Sequence, residues 1–193
     1  MNELLTLSLL MHWPLHAYRI AKIANNIIGP EEEISRGTLS ALLARLEHEG
    51  LITEAAPASV PFPSERVSRV LAITPRGRER FLQLMLASTS PQGAYSKVFH
   101  VKALHLEFLS ADQQLVLVDH YLAYCQQLLE AKQAGAQVFG RDPVKREQIS
   151  ATFHAAALDF MRRKSEQWLA EIAWAQSLRE RIVSRLYQRE GGC

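Results

Sequence analysis

From Val144 to Gln188 the chain contains neither glycine nor proline. Glycine breaks helices through its backbone freedom and proline through its missing amide. The stretch therefore predicts one helix of roughly 45 residues, about 65 Å long at 1.5 Å per residue. Its apolar residues fall into two stripes, Ile149-Phe153-Ala156-Phe160 and His154-Leu158-Met161-Trp168-Ile172. Together they form a band too long to be covered by the smaller domain ahead of it. A second copy of the chain is the natural cover. Ile149, Phe153, Phe160, Met161 and Ile172 are the expected dimer interface.

Two more helices precede this arm. Tyr95–Leu109 is one. Ser110-Ala-Asp-Gln113 reads as a capping box that opens the next, running towards Val138 and broken at Gly140-Arg-Asp-Pro143. The polar stretch Ser88–Gly93, with Pro91 and Gly93, divides the chain near residue 90. The expected domains are residues 1–88 and residues 94–190.

Composition narrows the class. With 193 residues and 48% apolar content the chain can bury a core, and its net charge is only +2. No run of about 18 apolar residues predicts a membrane span. Met1–Leu5 lacks the basic region of a secretory signal. Cys125 lies in an apolar helical run and reads as a buried thiol, and Cys193 follows Gly-Gly at the end. A reducing, cytoplasmic compartment is expected.

The first half has a different grammar. Asn2 to about His12 is an apolar helix ended by Pro14. About His16 to Asn26 is a second, broken at Gly29-Pro30 and followed by the acidic run Glu31–Glu33. Then Ser35 is placed as an N-cap. Leu39, Leu42, Leu43 and Leu46 follow at i, i+3, i+4 and i+7, and Gly50 is placed as the left-handed stop. Arg36, Thr38, Ser40, Ala41, Ala44, Arg45 and His48 fall on or beside the outer face. Small polar residues at a helix start suit entry into a DNA major groove. Two strand candidates, Leu51–Glu54 and Arg66–Thr74, flank a proline-rich loop and make a wing. Thr74 then caps a helix with Pro75 at its first position.

Four blocks in this half resemble the PadR family of bacterial winged-helix transcriptional regulators. They are Pro14-Leu15-His16-Ala17-Tyr18, Ile34-Ser35-Arg36-Gly37-Thr38-Leu39, Leu42–Ile52 and Ile73-Thr74-Pro75-Arg76-Gly77-Arg78. The match departs at Arg36, where the family has proline, at Ser40-Ala41, where it has Tyr-Pro, and at Leu71, where it has a wing aromatic. The long helical second half resembles the longer members by architecture. The resemblance implies a mainly α fold with a small β-wing, a winged helix-turn-helix domain joined to a long-helix dimerisation domain. It also implies a homodimer on a pseudo-palindromic operator, a repressor released by a small, often aromatic, effector. A transcriptional activator of the same fold and a winged-helix protein-interaction adaptor remain the alternatives.

Residues 1–86 hold nine Lys/Arg and nine Asp/Glu. Binding phosphates with no net charge requires that the cations be segregated on one face. Ser35, Arg36, Thr38 and Ser40 are the expected base and near-phosphate contacts. Arg45 is assigned to phosphate, and Arg66 and Arg69 to the wing's contact with the backbone or minor groove. Trp13, Tyr95, Phe99, His154 and Trp168 are the effector-pocket candidates, each equally able to be core. Tyr18 reads as a core residue and His16 as a cap. His100 and His105 diverge by about 140° on a helix, and no cysteine pair accompanies the histidines, so no metal or cofactor is expected. No phosphate loop, HExxH, GxSxG or GxGxxG is present, so no enzyme is expected either.

Overall fold

A computed structural model of the chain describes residues 1–56, 59–61, 69–87, 93–142 and 148–190. The chain forms two compact units, Met1–Leu109 and Ser110–Cys193.

In the first unit, helix α1 (Asn2–His12) is apolar on nearly every side because it is the centre of the core. Leu4, Leu5, Leu7, Leu9 and Leu10 are all buried, and Ser8 hides its hydroxyl by donating to the Leu5 carbonyl at 2.8 Å. Strand β1 (Leu15–His16) follows Pro14, then α2 (Ala17–Ile28) and a 3-10 turn (Pro30–Glu32). Helix α3 (Arg36–His48), strands β2 (Ile52–Ala55) and β3 (Val70–Ile73), and α4 (Pro75–Leu86) complete a winged helix. The sheet has order β1-β3-β2 and is antiparallel, with Leu15 opposite Leu71 and Ile52 opposite Ile73. β1 is absent from the sequence reading. Two residues are too short to show a period, and their pairing with β3 is supplied by chain some 55 positions away. Arg66 and most of the expected wing loop lie outside the described residues.

Helix α5 (Tyr95–Ala103) stops six residues before the expected end at Leu109. The chain tightens there into a 3-10 turn (Leu106–Phe108), with the His105 amide donating to the Lys102 carbonyl at 2.9 Å. This turn lets Phe108 meet Phe81 of α4 edge-on at 5.5 Å while Leu106 and Leu109 are buried. Lys102 is also buried, and its ammonium donates to the Ala87 carbonyl just past α4 at 2.5 Å. Burial brings the pKa of that ammonium down to about 8. Such contacts carry α5 into the first compact unit, which runs to Leu109.

The second unit is built on two long helices, α6 (Ala111–Arg141) and α7 (Ala151–Glu190). Ser110 and Gln113 form the capping box at the start of α6. α6 runs through Gly135 and Gly140 and ends two residues before Pro143, whose ring disfavours helix in the preceding residue. The continuous helix from Val144 is not formed. α7 starts at Ala151, where the Ser150 hydroxyl accepts the Phe153 amide at 3.2 Å. A serine cap is a stop signal that a search for glycine and proline misses. Phe139 stacks on His154, Tyr124 meets Trp168, Tyr121 donates to Glu171 at 2.6 Å, and Asp119 pairs with Arg179 at 2.6 Å. As one partner's number falls the other's rises, so the helices run antiparallel. Cys125 is buried between these contacts, and burial pushes its thiol up to about 11. Cys193 lies outside the described residues. No described helix is long and apolar enough to cross a membrane.

Candidate nucleic-acid interface

Helix α3 is held at both ends by its own sequence. The Ser35 hydroxyl accepts the Thr38 amide at 3.1 Å and lies 2.9 Å from the Thr38 hydroxyl. At the other end Gly50 takes φ +69°. The Leu51 amide reaches the Leu46 carbonyl and the Gly50 amide the Glu47 carbonyl, both at 2.9 Å, a Schellman closure. Leu39, Leu43 and Leu46 are buried, while Ser35, Arg36, Gly37, Thr38, Ser40, Ala41, Ala44, Arg45 and His48 are exposed. The outer face expected from the sequence is therefore formed.

The end of α3 is locked onto the start of α4. The Thr74 hydroxyl lies 2.7 Å from the Gly50 carbonyl and 3.1 Å from that of Leu51, and it accepts the Gly77 amide at 3.0 Å. Gly77 sits so close to the Leu51 carbonyl that a Cβ there would lie 2.0 Å from its oxygen. The Thr-Pro-x-Gly pattern is thus a packing requirement that fixes the angle of α3.

The arginines divide into two kinds. Arg45 pairs with Glu3 of α1 at 2.8 Å and with Glu49 at 3.3 Å. Glu3 also takes Arg80 of α4 at 2.7 Å, so one carboxylate ties three helices together. Burial alone would raise the Glu3 carboxyl, but its hydrogen bonds from Arg45 and Arg80 outweigh that and hold it below the usual value. Arg69 reaches Glu47 of α3 at 2.5 Å and Glu54 of β2 at 3.3 Å. Arg45, assigned to phosphate, and Arg69, assigned to the wing's contact with the backbone or minor groove, are thus each paired with two carboxylates in the free chain. Arg36 forms no ion pair among the described residues and stands exposed on the first turn of α3. The sequence reading missed Glu3, Glu47 and Glu54 because their partners are set by tertiary contact, as in the 42-residue gap between Glu3 and Arg45.

The five expected effector-pocket residues are divided between the two units. Trp13, Tyr95 and Phe99 belong to the first unit, with Tyr95 and Phe99 buried and Trp13 exposed. His154 and Trp168 belong to the second. They are fourteen positions apart on one helix, about 21 Å of rise, too far to flank one small molecule. A cleft of about 310 Å³ in the second unit is lined by Ala131, Lys132, Gly135, Phe160, Met161 and Lys164, among others, and by none of the five. His16 is buried against Tyr18, and no group of three metal-ligating side chains occurs among the described residues. His12 and His105 meet at 3.3 Å across 93 positions, a pairing invisible in the sequence.

The family model described as "Transcriptional regulator PadR-like family" matches residues 6–83. The similarity to that family lies in residues 6–83. The match spans α1 through most of α4, so it contains the capped helix, the sheet and the Thr74–Gly77 lock. Solved structures match over nearly the whole chain at low identity. One is Bacillus subtilis PadR in complex with operator DNA, 17% identical over 93% of this chain and 98% of that one, TM-score 0.40. Another is the PadR-like regulator BC1756 from Bacillus cereus, 19% identical over 99% of each chain, TM-score 0.37. A third is the Vibrio cholerae virulence activator AphA, 17% identical over 96% and 99%, TM-score 0.39. No curated protein matches the chain.

Proposed function

We propose that the protein is a cytoplasmic, homodimeric repressor whose two α3 helices enter successive major grooves of a pseudo-palindromic operator, about 34 Å apart. The observation that carries this reading is the exposed first half of α3. Ser35, Arg36, Thr38 and Ser40 stand outward over a buried leucine seam, and Arg36 has no carboxylate paired with it among the described residues. An uncompensated arginine at a helix start is suited to a guanine edge or a phosphate.

The partner in the dimer is a second copy seated on the second unit. Phe153 and Phe160 are 59% and 61% exposed in the single chain, and Leu169 is 49% exposed. Side chains this large and apolar on one long helix support a covered face. Ile172, also expected at the interface, is already buried within the single chain.

Fluorescence anisotropy on the full chain with DNA from upstream of its own gene tests the reading. R36A should bind that DNA at least about tenfold more weakly, the scale of one lost base or phosphate contact. Unchanged affinity at moderate salt overturns the role of α3. A small effector relieves the repression. A thermal-shift screen with aromatic acids and hydrophobic cations checks it, and no stabilisation by any of them removes it.

A further inference from the structure

The backbone entering α3 is held by a side chain from another helix. The Ile34 amide donates to Asn25 Oδ1 at 2.9 Å, and Asn25 Nδ2 donates to the Ile34 carbonyl at 3.2 Å. Nδ2 also lies 3.3 Å from Glu33 Oε1. An asparagine amide presents a donor and an acceptor side by side, as a neighbouring strand would. Asn25 thus pairs both backbone groups of the residue before the Ser35 cap. Ile34 is buried, so its amide and carbonyl have little water to turn to. Asn25 is half-buried in α2, one residue after fully buried Ala24, so it is fixed to the core. A second tie acts on the same turn, where Lys97 of α5 forms an ion pair with Glu32.

We propose that Asn25 is a positioning residue for DNA recognition, setting the pose of the first turn of α3 without touching DNA. The inference rests on the reading that α3 enters the groove. Arg36 and Thr38 lie two and four residues beyond the clamped residue, and base readout tolerates little misplacement at that end. Phosphate attraction depends on the number of cations and is much less sensitive to pose. Losing Asn25 should therefore separate the two, lowering operator affinity while sparing non-specific binding.

The test uses the full chain as N25A and N25D. Aspartate keeps the acceptor for the Ile34 amide but loses the donor and turns a charge towards the Ile34 carbonyl and Glu33. Anisotropy titrations compare upstream DNA with a shuffled duplex over a range of salt. In N25A, specific affinity should fall about tenfold, with the shuffled-duplex affinity and salt slope unchanged. N25D should fall between N25A and wild type. Amide hydrogen exchange supplies a readout that needs no DNA. Protection should drop at Ile34, Thr38 and Leu39 and stay at Gly50 and Leu51, whose closure is separate. If N25A only lowers the melting temperature and leaves both the specific-to-shuffled ratio and the Ile34 amide unchanged, the positioning role is overturned. A wild type that does not prefer upstream DNA over the shuffled duplex overturns the groove reading and, with it, the recognition role. The exchange pattern then shows separately whether Asn25 fixes α3.

Discussion

Arg45 of α3 and Glu3 of α1 form a 2.8 Å ion pair across 42 positions of sequence, and the same carboxylate holds Arg80 of α4 at 2.7 Å. Glu3 therefore withholds two cations from any nearby phosphate. E3A should free Arg45 and Arg80, strengthen binding to non-operator DNA and steepen its dependence on salt. The same change should lower stability by about 1 kcal/mol or less, since both guanidinium groups are largely exposed. Salt titrations of DNA affinity beside thermal melts check both effects, and a flatter salt slope would contradict the arrangement.

Gly77 meets the Leu51 carbonyl at a distance no Cβ permits. G77A must push α4 away from the end of α3, because the Leu51 carbonyl oxygen and carbon are backbone that cannot rotate aside, and the Ile73 side chain crowds the same point. The expected loss is about 3 kcal/mol, the upper part of the range for overpacking. Urea unfolding of the full chain measures it. A loss below about 0.5 kcal/mol, typical of a neutral surface change, would show that the close approach is not maintained.

His105 is buried, and burial first, then the nearby His12, bring its pKa down to about 4. In the unfolded chain it titrates near about 6.5. As pH falls below that value the unfolded state takes up a proton that the folded state refuses. The stability from neutral His105 is thus fully present above pH 6.5 and is lost progressively down to about 4, at up to about 1.4 kcal/mol per pH unit. Thermal melts from pH 7.5 to 4.5 should show the decline. H105F should flatten it, and an equal slope in that variant would assign the acid sensitivity to other groups.

Phe153 and Phe160 are seven positions apart, two turns of α7, and both are more than half exposed. F153E with F160E should turn the proposed dimer into a monomer while the far-ultraviolet circular dichroism stays helical. Light scattering after size exclusion reads the mass. A dimer that survives both charges would place the partner elsewhere.

Much of the recognition unit was legible because its signals are local. The Ser35 cap, the leucine seam, the Gly50 stop, the Thr74-Pro75 start and the Ser110 capping box each depend on residues within a turn or so of one another. The failures have one origin as well. Strand β1, the end of α5, the brace on Arg45 and the Asn25 clamp involve partners between 9 and 93 positions away. No periodicity carries that information. The uninterrupted helix from Val144 failed differently, since absence of breakers permits a helix without requiring one, and Ser150 offered the backbone a cap instead.

The sequence by itself determined which helix carries the small polar face, where it starts and stops, and that a long apolar arm follows. Those properties arise from caps and side-chain spacing along a single element. Only the tertiary structure decided which cations on and around that helix are available. Arg36, Arg45 and Arg69 read alike as letters, but folding brings Glu3, Glu47 and Glu54 to the second and third and, among the described residues, no carboxylate to the first. Charge compensation acts through space over a few ångströms, so it is settled only when distant segments have been packed together.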